Sequence, residues 1–80
     1  MKIYWHEGKK NSIGENVRRF RREAKLTQKG LSEQLQLAGY EFDRLTIGRI
    51  ESGNRFVADY EVKALAEVLH VKMETLFDNI

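Results

Sequence analysis

The sequence predicts an all-α domain on three observations. Apolar residues recur at helical spacing in four successive stretches, a capping residue stands in front of each stretch, and the 80-residue chain has no proline to interrupt them. The stretches are Ile13, Val17, Phe20 and Ala24; Leu31 and Leu35; Ile47 and Ile50; and Val62, Leu65, Ala66 and Leu69, preceded in turn by Ser12, Thr27, Asp43 and Asp59. With a short last helix they make five helices in one compact unit over residues 12–80. A chain this size buries only about 60–65% of the surface it exposes when unfolded, enough for one core and not for two.

Residues 1–11 precede the helical pattern. Ile3 and Trp5 alternate with Lys2, Tyr4 and His6 as in a short strand, and Gly8, Lys9, Lys10 and Asn11 read as a turn. This segment is either an arm that reaches a partner or a strip that packs Tyr4 and Trp5 on the helices. Ser12 and Glu15 have the spacing of a capping box, so the first helix is expected over 13–25. It carries Arg18, Arg19, Arg21, Arg22 and Lys25, more positive charge than a helix C-terminus needs to complement its dipole.

Thr27 opens the second helix, because its hydroxyl accepts a backbone N–H two or three residues on. Leu31 and Leu35 face inward, with Leu37 extending that face. Gly30 lies inside the helix at a cost of roughly 0.5–1 kcal/mol relative to alanine, which implies either a close backbone approach or expendable local stability. Asp43 opens the third helix. There Ile47 and Ile50 fall on one side, Arg44, Leu45, Gly48 and Arg49 come round to the other, and Gly53 stands where a left-handed residue ends a helix. Between the two helices, Gln36, Leu37, Ala38, Gly39, Tyr40 and Glu41 make the connection longer than the three or four residues of a usual helical turn. Either the second helix runs on or a loop intervenes, tied down by Tyr40 and Phe42.

Asp59 caps a fourth helix over about 60–70, and His70 reads as its ending residue. Val71, Leu76 and Phe77 describe the fifth.

Composition excludes several classes of function. Without cysteine there is no disulfide and no thiolate metal site, and His6 and His70 are the only imidazoles, so neither metal nor cofactor is expected. The carboxylates are scattered, no glycine-rich phosphate loop follows a strand, and neither histidine has a nucleophile in a recognisable arrangement; the chain does not read as an enzyme. No apolar run reaches the ~20 residues of a membrane span and no secretion signal opens the chain, which fits a cytoplasmic protein. The net charge is +2, but residues 1–25 hold eight Lys/Arg against Glu7, Glu15 and Glu23, while residues 56–80 hold Lys63 and Lys72 against five acids. That polarity would orient the domain in the field of a nucleic-acid backbone, basic end inward.

In the order Leu26-Thr27-Gln28, Leu31-Ser32-Glu33-Gln34-Leu35, then Thr46-Ile47-Gly48-Arg49-Ile50-Glu51-Ser52-Gly53-Asn54-Arg55, the chain resembles the Cro/repressor-type helix-turn-helix family, the xenobiotic-response-element regulators. The likeness extends back to Ile13 and forward to Phe77. It implies a five-helix repressor-like fold with helices two and three as the helix-turn-helix, and a sequence-specific DNA-binding regulator, a repressor, acting as a homodimer on a near-palindromic site. An antitoxin-like protein-interaction module on the same fold is the alternative. The resemblance places the start of the third helix in the major groove, where Arg44, Leu45, Gly48 and Arg49 face the bases: arginine suits the O6 and N7 of guanine, leucine a thymine methyl, and Gly48 allows close approach. Gln28, Thr46, Asn54, Arg55, Arg18 and Arg22 are expected at phosphates, and the arm of residues 1–11 at DNA or at its symmetry mate. It also pairs Arg21 with Glu51 as a structural salt bridge.

Overall fold

The computed structural model describes residues 8–79. The alternating segment expected before Gly8 lies outside the described residues. Four α-helices follow, α1 (Gly14–Glu23), α2 (Gln28–Leu37), α3 (Arg44–Ser52) and α4 (Asp59–Leu69), and then a 3-10 helix, Met73–Phe77. Among the described residues there are thus four α-helices and not the five expected. The last element buries only Leu76, and the Thr75 N–H reaches back to the Lys72 carbonyl in a three-residue step. One buried side chain gives a segment this short no apolar stripe on which to build wider α-helical turns.

Each helix has an identifiable start. Thr27 Oγ1 accepts the Gly30 N–H at 2.9 Å, and Asp43 Oδ1 accepts the Thr46 N–H at 2.7 Å, as the capping preferences of threonine and aspartate require. The close approach at Gly30 is local: a Cβ there would stand 3.2 Å from that same Thr27 hydroxyl. The other two starts differ from the sequence expectation. Asn11, not Ser12, supplies the oxygen for α1: its Oδ1 accepts the Gly14 N–H at 2.8 Å, while Glu15 turns outward to Lys9 at 3.2 Å. At α4 the residue before the helix is Ala58, and Glu61 reaches back to accept the Ala58 N–H at 3.0 Å.

All four α-helices end in the same way. A left-handed residue stands just past each, second after α1 and α2 at Lys25 (φ 59°) and Gly39 (φ 94°), first after α3 and α4 at Gly53 (φ 83°) and His70 (φ 59°). Its N–H bonds to the carbonyl three residues back, and the next residue's N–H to the carbonyl five back, as in Leu26 to Arg21, Tyr40 to Leu35, Asn54 to Arg49 and Val71 to Ala66. These are Schellman motifs, which satisfy the last carbonyls of each helix. The motif at Gly39 settles the long connection. The second helix stops at Leu37, and residues 38–43 form a true loop, fixed by the buried Phe42, by Gln36 Nε2 donating to the Phe42 carbonyl at 3.1 Å and by the Tyr40 hydroxyl donating to Glu67 at 2.9 Å.

The core comprises Ile13 and Val17 from the first helix and its entry, Leu31 and Leu35, Ile47 and Ile50, then Val62, Leu65, Ala66, Leu69 and Leu76, with Phe20 and Tyr40 packed against it. Two expected members are outside. Ala24 is exposed because α1 has already turned into its Schellman ending. Leu37, two residues beyond Leu35, faces the opposite side of α2 and is 83% exposed. Helix α3 packs against both α1 and α2. Gly14 makes the first contact possible: a Cβ there would run into the Ile50 carbonyl oxygen and lie 2.9 Å from that of Glu51. Asn11 bridges the same place, its Nδ2 donating to the carbonyls of Ile50 at 3.1 Å and Arg55 at 2.8 Å.

Candidate nucleic-acid interface

Burial of Ile47 and Ile50 rotates α3 so that its other side is offered to solvent. Arg44, Leu45 and Arg49 are exposed there, Leu45 by 63%, with Gly48 half-buried between them. An exposed leucine between two exposed arginines forms a surface of forked donors around an apolar centre.

Behind this face lies a buried polar knot. Arg21 Nε donates to Glu51 Oε2 at 2.6 Å and Arg21 Nη2 to Glu51 Oε1 at 3.1 Å, a two-pronged pair with both side chains buried, while Arg21 Nη1 donates to the Leu26 carbonyl at 2.8 Å. One guanidinium thereby ties α1 to the end of α3 and to the turn before α2. Gln28 Nε2 adds a bond to Glu51 Oε1 at 3.2 Å, and Arg18 Nε stands 3.7 Å from the same oxygen while half of its side chain remains in solvent. With two arginines and an amide around it, the Glu51 carboxylate is compensated as a buried charge must be.

The expected phosphate contacts fall into different settings. Arg22 and Asn54 are exposed. Thr46 is half-buried beside Asp43, in a groove of about 620 Å³ that Gln36, Tyr40 and Phe42 also line. Its N–H holds the Asp43 carboxyl below the usual carboxylate range, with smaller help from the charges of Arg49 and Arg55. Arg55 is committed within the fold: its two Nη atoms meet both oxygens of Glu61 at 3.0 and 2.9 Å. That pairing raises the Arg55 pKa and lowers that of Glu61. Helical spacing could have found this partner no more than it found Asn11, since both act across loops.

Four α-helices in this order, the second packed against a third that bears an exposed basic face, invite comparison with known proteins. No family model and no curated protein matches the chain. Solved structures do. The restriction-modification controller protein C.AhdI from Aeromonas hydrophila superposes with a TM-score of 0.71 at 29% identity, over 81% of this chain and 87% of that one. The chain folds as a helix-turn-helix DNA-binding domain. The DNA-binding domain of BldD has the same helix-turn-helix architecture, with a TM-score of 0.71 at 21% identity over 95% of this chain and 97% of that one, a likeness of fold alone. Within this helix-turn-helix domain α2 and α3 are the motif, and the Arg21–Glu51 pair locks α3 to α1. No helix among the described residues is long and apolar enough to cross a membrane.

Proposed function

We propose that the chain is a DNA-binding transcriptional regulator that places the start of α3 in the major groove and represses by occupying its site. The observation that carries this reading is the exposed row of Arg44, Leu45 and Arg49 on a helix whose opposite side is locked into the core. Such a row combines donors for guanine edges with an apolar contact for thymine. Arg18 and Arg22 on α1 add sequence-blind attraction for phosphate, and the exposed Asn54 flanks α3. C.AhdI, a controller protein, and the BldD DNA-binding domain support the assignment.

Two copies bind together. One α3 spans only a few base pairs, so a near-palindromic site with half-sites about 34 Å apart supplies the missing selectivity. The exposed Tyr60, Met73 and Phe77 offer apolar surface for self-association.

Binding-site selection from random-sequence duplex, followed by titration at several salt concentrations, tests the proposal. It requires an inverted-repeat consensus, two chains per duplex and affinity that falls steeply with salt. Absence of salt-dependent binding to any duplex would refute it.

A further inference from the structure

We infer that Gln28, although it belongs to α2, reads a base from the place on α3 that Gly48 leaves vacant. The inference rests on the regulator reading and names a specificity residue within it.

Gln28 is the first residue of α2 and is half-buried. A Cβ on Gly48 would meet its side chain in ordinary contact, at 3.6 Å from Oε1, 3.7 Å from Nε2 and 3.9 Å from Cδ. The amide therefore lies across Gly48, in the volume where a residue-48 side chain would go. Position 48 lies about one helical turn on from Arg44 on the same side of α3, so the amide continues the row begun by Arg44.

Its orientation is fixed by chemistry. Nε2 donates to Glu51 Oε1 at 3.2 Å; turned over, the amide would set its own oxygen against a carboxylate oxygen. Nε2 is thus held at the buried end. Among the described residues Oε1 accepts from no protein donor, although the side chain remains reachable from solvent.

A side-chain oxygen is the wrong group for a phosphate, and one amide N–H is already engaged by Glu51. The ligand that suits a free acceptor in the major groove is an exocyclic amino group, N6 of adenine or N4 of cytosine; guanine and thymine present only acceptors there. Phosphate contact at this helix start falls to the backbone N–H groups of Gln28 and Lys29, since that of Gly30 is taken by Thr27.

The test repeats the selection with Gln28→Ala, Gly48→Leu and the double variant, each first checked for an unchanged thermal transition. Gln28→Ala should lose a preference for adenine or cytosine at one position of each half-site, by roughly two- to tenfold, the range of one net hydrogen bond. Affinity for mixed-sequence duplex and its salt slope should stay as they were. Gly48→Leu should remove the same preference by displacing the amide, and the double variant should lose nothing more at that position. Gly48→Leu leaves Glu51 its partners on α1, so it carries the test if Gln28→Ala fails to fold. An unaltered consensus with uniformly weaker binding would overturn the inference and return Gln28 to the phosphates. No consensus from the unsubstituted protein would instead bring down the regulator reading itself.

Discussion

Arg21 and Glu51, thirty residues apart, close a two-pronged ion pair inside the domain, at 2.6 and 3.1 Å. Removing Glu51 strands Arg21 as a buried charge, and removing Arg21 leaves the buried Glu51 only the half-exposed Arg18 and the Gln28 amide, a loss of up to about 3–5 kcal/mol. Arg21→Ala should therefore lower the melting temperature sharply, whereas exposed Arg22→Ala should change stability by no more than about 0.5 kcal/mol. Equal, small shifts in calorimetry would contradict the pair's structural role.

Lys25 and His70 adopt the left-handed conformation that glycine fills at the other two helix ends. An L-residue pays about 1–2 kcal/mol for it, part of which glycine returns through its greater freedom in the unfolded chain. Lys25→Gly and His70→Gly should each stabilise by up to about 1 kcal/mol in urea unfolding, and Gly39→Ala should destabilise. A loss of stability in both glycine variants would mean that the side chains at 25 and 70 contribute more than the backbone strain costs.

Two helical glycines should respond oppositely to alanine. At Gly14 the new methyl meets carbonyl oxygens of α3, so Gly14→Ala should force α1 and α3 apart at a cost of about 1–3 kcal/mol. At Gly48 the nearest atoms lie 3.6 Å away on a flexible side chain, so Gly48→Ala should be neutral or should gain some of the roughly 0.8–1.0 kcal/mol of helix propensity. Denaturant midpoints of the two variants decide it.

Acid should weaken the fold through Asp43 and Glu61. Both carboxyls bind their protons less tightly in the folded chain than in the unfolded one, Asp43 because of the Thr46 N–H and Glu61 because of Arg55. Their contribution is complete above the ordinary carboxylate range, about 4, and disappears as pH falls through the lowered folded values. Tyr40 works in the opposite sense. Its bond to Glu67 raises its pKa, so that contribution is complete below about 10 and is lost as pH rises through the folded value. The melting temperature should be level at neutral pH and fall below about pH 4, less steeply in Asp43→Asn, which keeps a capping oxygen. An acid limb identical in the variant would remove Asp43 from the account.

Base reading and phosphate holding separate by what each can sense. Arg44→Ala should relax the preference at one base pair in each half-site by about 1–3 kcal/mol, with mixed-sequence binding little changed. Arg22→Ala should weaken all duplexes alike and flatten the slope of log affinity against log salt by about 0.9. Arg55→Ala should also cost stability, because it frees Glu61. If Arg44→Ala keeps the selected consensus, base reading passes to Leu45 and Arg49.

Much of the fold was legible because its signals are local. Thr27 and Asp43 cap through hydrogen bonds three residues away, Gly53 announces its own dihedral, and the pairs Leu31 with Leu35 and Ile47 with Ile50 carry the helical period. What escaped depends on partners distant in sequence. Asn11 caps α1 because its amide is also drawn to carbonyls near residues 50 and 55, and no rule of spacing sees those. Gly14 reads as one more weak helix former until α3 is laid against it. At the candidate interface, the exposed side of α3 followed from its own periodicity, but the Arg55–Glu61 pair and the amide over Gly48 arise where separate elements meet.

The six-residue connection between α2 and α3 bears on how freely such chains can diverge. The entropy of closing a loop grows only with the logarithm of its length, so extending a three- or four-residue turn to six costs about 0.5 kcal/mol. A phenylalanine ring taken out of water is worth roughly 1.5–3 kcal/mol, and Phe42 is 4% exposed. The added chain thus supplies its own anchorage. Lengthening this turn is a nearly neutral step in stability, one that alters the outline of the molecule beside the exposed side of α3.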